Sequence, residues 1–149
     1  MKAIKEELYR HCQQFVQDRL DRIQQRIANI QESLTSETKS TAGDKHETGR
    51  AMLQLEREKS GQQLAEAQKL QKTLLKIDIT SSNTIHLGSI ILTSQANYFL
   101  SISVGKLVVE QTDYYAIAAG SPIGKLLLGK KEGDHFSFNG NKILIKKVA

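Results

Sequence analysis

Residues 16–34 read VQDRLDRIQQRIANIQESL. Val16, Leu20, Ile23, Ile27, Ile30 and Leu34 recur at intervals of 4, 3, 4, 3 and 4. That alternation is the seam of a coiled coil, because it keeps one apolar stripe on the same side of an α-helix. Ile4, Leu8 and Cys12 carry the face toward the N-terminus. One helix over residues 3–34 would reach about 48 Å at 1.5 Å per residue. A seam of this kind needs a partner helix, from the same chain or from a second copy in a parallel dimer.

A second apolar stripe, Met52, Leu55, Leu64, Ala67, Leu70, Leu74 and Ile77, follows within the chain. Lys59, Gly61, Gln62 and Gln63 interrupt its centre. Between the stripes, residues 35–47 are rich in Ser and Thr and lack apolar periodicity. An antiparallel hairpin over 1–77 with its tip near 35–47 is the economical arrangement.

Composition changes near residue 77. Seven of the ten glycines and the only proline, Pro122, lie beyond it. Residues 78–83, DITSSN, read as a linker. Beyond them TIHLGSIILTS (84–94) and ANYFLSISVG (96–105) read as strands meeting at Ser94–Ala96, with DYYAIAAG (113–120) a third. SPIGKLLLG (121–129) reads as a short helix with Ser121 as N-cap, Pro122 at N1 and Gly129 as its stop. DHFSFNGNKILIKKV (134–148) reads as a hairpin turned at Asn139-Gly140. The predicted fold class is α+β: a coiled-coil hairpin, then a small, mostly antiparallel β domain over 83–149 with one short helix.

The net charge of +5 is spread along the chain, and no basic block of the kind a duplex-DNA reader presents is found. No apolar run approaches the ~20 residues of a membrane span. MKAIKEELYR lacks a signal-peptide apolar core, so the expected location is cytoplasmic. A single cysteine excludes an internal disulfide. The four histidines show no zinc spacing. GSPIGKLLLG is not a P-loop: only three residues separate Gly120 from Gly124, and Leu126 follows Lys125. Tyr114, Tyr115, Phe136 and Phe138 suit a core or a pocket, and Lys130, Lys131, Lys146 and Lys147 suit a solvated face.

STAGDKHETGRA (40–51) sets Asp44 and Glu47 three apart where the second helix begins. One reading is a capping box, with Asp44 as N-cap and Glu47 reaching back. The other is a pair of hard carboxylate ligands for Mg²⁺. A capping carboxylate keeps a free oxygen, so the two are compatible.

Residues 121–136, SPIGKLLLGKKEGDHF, resemble the C-terminal signature of bacterial Gre-type (GreA/GreB-like) transcript cleavage factors. LGSIILTS (87–94) and YFLSISVG (98–105) are similar to two strands of that family's FKBP-like domain. GDKHE (43–47) is similar to the Gly-Asp-x-x-Glu at the family's hairpin tip. The resemblance implies a non-enzymatic regulator of transcription elongation that binds bacterial RNA polymerase through its secondary channel. Asp44 and Glu47 would help hold an Mg²⁺ shared with the polymerase while backtracked RNA is cleaved, with no tightly bound cofactor. Lys39, Lys45 and Arg50 are candidates for contact with nascent RNA. Ser121, Pro122, Ile123, Gly129, Lys130, Gly133 and Asp134 are candidates for docking on the polymerase. No membrane and no sequence-specific DNA enter as partners.

The sequence departs from the family after the acid pair. Thr48-Gly49-Arg50-Ala51 replaces an Asn-Ala-Glu-Tyr run, and the middle of the β domain is shortened between Val104 and Ser121. An inhibitor or pause modulator without cleavage activity is therefore one alternative. A prolyl isomerase or chaperone is another, because FKBP-like folds host that activity elsewhere. A structural coiled-coil adaptor is the third.

Overall fold

The computed structural model describes residues 1–39 and 43–149, the side chains of 37–46 excepted. Contacts gather the chain into two compact units, Met1–Phe15 with Gln71–Ala149, and Val16–Leu70. Two long helices, α1 (Lys2–Lys39) and α2 (Gly43–Leu75), run through both.

In the Val16–Leu70 unit the helices pair antiparallel. Arg26 Nη1 donates to Gln63 Oε1 at 2.9 Å, and Arg50 Nη1 to the Leu34 carbonyl at 3.3 Å, so the partner number falls as the other rises. The partner of the first helix is thus the second helix of the same chain. Val16, Leu20, Ile23, Ile30 and Leu34 are buried as the seam predicts, and Ile27 is half-buried. On α2 the stripe differs from expectation. Met52 and Leu55 are 61% and 66% exposed, while Ser60 and Ala67 are buried and Leu53 and Leu64 half-buried. Heptad geometry selects Leu53, Ser60 and Ala67 for the side facing α1, whatever the polarity of their neighbours. Among the described residues, no helix is long and apolar enough to cross a membrane.

The other unit is built on a six-stranded sheet in the order β3-β4-β2-β1-β6-β5. The strands are β1 (Ile90–Thr93), β2 (Asn97–Ser101), β3 (Gly105–Val109), β4 (Thr112–Ala118), β5 (His135–Phe138) and β6 (Asn141–Val148). All neighbours are antiparallel except β2 and β4, which run parallel. The fold class is α+β, as predicted. Residues 84–88 are not strand: Gly88 sits at φ +109, and a Cβ there would lie 2.1 Å from the Asp78 carbonyl oxygen. Close approach of two backbones therefore delays the first strand to Ile90. The β3 strand was not expected. It turns into β4 through Glu110 and Gln111, both at positive φ, the geometry that Asn139-Gly140 supplies between β5 and β6.

The sheet is buried on both faces. Ile91, Tyr98, Leu100, Ile143 and Ile145 form one core with Leu127 of the short helix α3 (Pro122–Leu127). Ile90, Phe99 and Ser101 point the other way, since successive residues alternate. There Cys12 of α1 meets Ser101, Sγ to Oγ 3.6 Å. Burial pushes the Cys12 thiol up, and the Ser101 hydrogen bond only partly offsets it.

The base of α1 also closes the end of α2. Helix ends leave carbonyls without helical partners. Tyr9 donates its hydroxyl to the Leu74 carbonyl at 2.8 Å, and Lys5 Nζ donates to the carbonyls of Ile79 and Thr80 at 3.1 and 3.2 Å. Lys5 is only 1% exposed. Desolvation pulls its ammonium below the ordinary lysine range, against the pull of the Asp78 charge. Asp78 in turn accepts from the amide and hydroxyl of Thr80, which hold its carboxyl below the usual carboxylate range.

Candidate functional site

Several of the residues singled out between the two long helices open α2. Because α2 starts at Gly43, Asp44 lies inside its first turn rather than before it, so the backbone does not place Asp44 at the N-cap. An acid in this turn faces the positive end of the helix dipole. Glu47 is exposed and follows Asp44 by three residues, within one helical turn. The side chains of Lys39, Asp44 and Lys45 lie outside the described residues.

Arg50 is half-buried, and its guanidinium reaches across to the carbonyl of Leu34 in α1. It ties the first turns of α2 to the last turns of α1. Nothing in its sequence context distinguishes such a tie from a solvated cation, because the partner is a backbone carbonyl 16 residues away.

The seven candidates of the C-terminal run are brought together around α3 and the loop that follows. Ser121 caps α3: its Oγ accepts from the Gly124 amide at 3.1 Å and donates to the Ala118 carbonyl at 2.6 Å. Pro122 is exposed at the first turn, where its missing N–H costs nothing, and Ile123 packs against the sheet core. Gly129, at φ +85, donates its amide to Ile85, and Lys130 accepts from the Ile85 amide at 2.8 Å. Gly133, at φ +90, donates to Ile145, while Asp134 Oδ2 accepts from the Lys131 amide at 2.9 Å. Five of these residues, Ser121, Gly129, Lys130, Gly133 and Asp134, thus fix backbone. The residues exposed in this run are Pro122, Lys125, Leu128, Gly129, Lys131, Glu132 and Gly133.

In the sequence Gly124 stands out only as a P-loop glycine. Its role is steric: a Cβ there would stand 2.1 Å from the Ala118 carbonyl oxygen. The signal was available, since a glycine three residues after a Ser-Pro cap is costly for a helix unless something crowds it.

A cavity of about 440 Å³ lies between the β1–β2 and β3–β4 turns. It is lined by Gln95, Asn97, Gln111, Thr112 and Asp113, with Tyr115 the single aromatic. Among the described residues, no three acidic, histidine or cysteine side chains converge on a metal-sized site.

No protein-family model and no curated relative matches the chain. Among solved structures, it is similar to the crystal structure of GreA factor homolog 1 (Gfh1) of Thermus thermophilus. The identity is 17%, over 95% of this chain and 94% of that one, with a TM-score of 0.35. A second structure, of the transcription factor Gfh1, gives 17% identity over 94% and 92%, again with a TM-score of 0.35. At 17% identity the likeness concerns the fold alone.

Proposed function

We propose that the protein regulates transcription elongation by bacterial RNA polymerase. Residues 1–77 enter the secondary channel as a probe, and residues 83–149 dock at its mouth. The observation that carries this reading is the acid pair at the start of α2, with Glu47 exposed. The resemblance of residues 43–47 and 121–136 to Gre-type factors supports it.

Two carboxylates are the hard oxygen donors that Mg²⁺ prefers, and the remaining ligands come from the polymerase. An Mg²⁺ held this way supplies charge neutralisation at the attacking and leaving oxygens of phosphodiester hydrolysis. Asp44 and Glu47 give their oxygens to the shared ion and orient a water by hydrogen bonding. Lys39 and Lys45 meet RNA phosphates. The protein acts on the active site of its partner rather than catalysing alone, and its place is the cytoplasm.

A second reading is favoured by Arg50. It follows Glu47 by three residues, and its guanidinium, held on the Leu34 carbonyl, adds a positive charge at the end of the helix pair where the family's tip carries acid or neutral residues. The tip then blocks or pauses the polymerase without promoting cleavage. The isomerase reading asks for an aromatic-lined pocket, and the sheet cavity has polar walls and one ring.

The test adds wild type and Asp44→Asn/Glu47→Gln to backtracked polymerase complexes with labelled transcript. Shortening by the wild type alone is expected. Binding by both without shortening selects the inhibitor, and absence of binding overturns the polymerase reading.

A further inference from the structure

The cavity of about 440 Å³ between the β1–β2 and β3–β4 turns lies wholly within the sheet unit. Its two turns are built differently. The β1–β2 turn is braced by Thr93, whose Oγ1 accepts from the amides of Gln95 and Ala96 at 3.2 and 3.0 Å and donates to the Ala96 carbonyl at 2.6 Å. Gln95 therefore stands on a fixed backbone. The β3–β4 turn is strained, with Glu110 at φ 51 and Gln111 at φ 64. A two-residue turn of this geometry favours Asn-Gly, which the other hairpin of the sheet has at Asn139-Gly140. Left-handed residues kept against that preference cluster where their side chains are used, and Gln111 lines the cavity.

The remaining wall comes from β2 and β4. Asn97 Nδ2 donates to the Asp113 carbonyl at 3.3 Å, which leaves its Oδ1 as an acceptor. Tyr115 rests against Tyr98, with ring centroids 6.3 Å apart and planes at 47°, and stays 38% exposed. Lys106 Nζ stands 3.6 Å from Asp113 Oδ2, between two half-exposed side chains. A charge-assisted bond closes to about 2.7–2.9 Å, so this carboxylate is loosely held. Among the described residues Lys106 is its sole partner, and the side chains of Gln95, Gln111 and Thr112 make no hydrogen bond.

Charge selects the ligand. Residues 84–118 carry one lysine against two carboxylates, in a chain whose net charge is +5, so an anion finds no excess of positive charge here. The groups without partners are chiefly acceptors: a carboxylate, amide oxygens and the negative face of an aromatic ring. A guanidinium matches that set, because it is planar, stacks on aromatic rings and donates five N–H groups in a fixed fork. A bare metal ion would find a single carboxylate.

We propose that this cavity anchors an arginine side chain of a partner polypeptide, stacked on Tyr115 and held by the Asp113 carboxylate with the amide oxygens of Gln95, Asn97 and Gln111. The site is independent of the polymerase reading, and its test contains no polymerase.

The full-length protein is titrated with N-acetyl-arginine N-methylamide at fixed ionic strength, and amide shifts are followed by NMR. Saturable binding at about 1–10 mM is expected, with shifts confined to residues 95–97 and 106–115. Lys106→Gln should tighten it by about two- to fivefold by removing a competing cation, a gain that misfolding cannot imitate. Asp113→Asn should weaken it by about tenfold, a hydrogen bond to a charged group being lost. Glu110→Asn/Gln111→Gly should weaken it by about fivefold while raising the midpoint of urea unfolding. No saturation below about 50 mM, equal binding of N-acetyl-lysine N-methylamide or of methyl glucoside, weaker binding by Lys106→Gln, or undiminished binding by the turn variant would each overturn the proposal.

Discussion

Replacing Gly124 by alanine sets the first turn of α3 against the end of β4. The new Cβ would lie 2.1 Å from the Ala118 carbonyl oxygen and 2.9 Å from Ser121 Oγ, against a floor near 3.0 Å for real contacts. Neither neighbour can yield freely. The Ala118 oxygen already accepts from Ser121 Oγ at 2.6 Å and from the Ser121 amide at 3.1 Å. Ser121 Oγ in turn caps the Gly124 amide at 3.1 Å. Relieving the overlap loosens three hydrogen bonds, each worth about 1 kcal/mol net, and so costs about 3 kcal/mol. Alanine regains about 1 kcal/mol in helix propensity. The expected loss is then about 2 kcal/mol. Urea unfolding followed by tyrosine fluorescence measures it in the right place, because Tyr9, Tyr98, Tyr114 and Tyr115 all lie in the unit that holds the sheet. Gly61→Ala supplies the opposite sign. Its Cβ would meet only Arg57 Nη1 at 3.4 Å, so helicity at 222 nm should gain about 0.5–1 kcal/mol of stability. A Gly124→Ala loss below about 0.5 kcal/mol, the range of an ordinary surface change, would refute the steric account.

Two further outcomes follow from the sheet unit. The Cys12 thiol keeps its proton above its ordinary 9.0 when folded, so rising pH deprotonates the unfolded chain first and stability falls. Tyr98 and Tyr114, raised by burial, act in the same sense at higher pH, and Lys5, lowered by burial, acts in the opposite sense. Melting temperatures between about pH 8 and about pH 10 should therefore decline less steeply in Cys12→Ala, and an unchanged slope would refute the assignment. The Glu110→Asn/Gln111→Gly pair relieves two left-handed residues at the β3–β4 turn and should stabilise by about 1 kcal/mol in urea, whereas a loss would count against the turn geometry.

The elements that were legible in the sequence are those whose residues carry their own geometry. Asn139-Gly140 marks its turn because both residues tolerate positive φ, and Ser121-Pro122 marks the start of α3 because one caps and the other lacks an amide. The first seam was legible because six aliphatic residues hold their spacing without interruption. On α2 the pattern misled, since polarity and position disagree there: Ser60 faces inward, Met52 and Leu55 outward. The β3 strand was hidden because Glu110-Gln111 is an unusual pair for its turn and because Lys106 and Val108 lie exposed on an edge strand. Lys5 was hidden for a different reason. Its partners are carbonyls 74 and 75 residues away, which no local window contains. At the tip the acid spacing was legible from the sequence alone, whereas the Arg50 tie to Leu34 required the paired helices.

The position of β6 between β1 and β5 carries a consequence for synthesis. The helices α1 and α2 pair through residues made early and near each other in the chain, so that contact can form as soon as both have emerged. The β1 strand pairs on one side with β2, which follows at once, but its other neighbour begins some fifty residues later, at Asn141. At about 5–20 residues per second, a ribosome takes several seconds to supply it. During that interval Ile90, Ile91 and Leu92 present an apolar strand with one edge unpaired, the surface from which mispairing starts. The sheet unit is therefore the part of the molecule whose yield depends on the speed of translation.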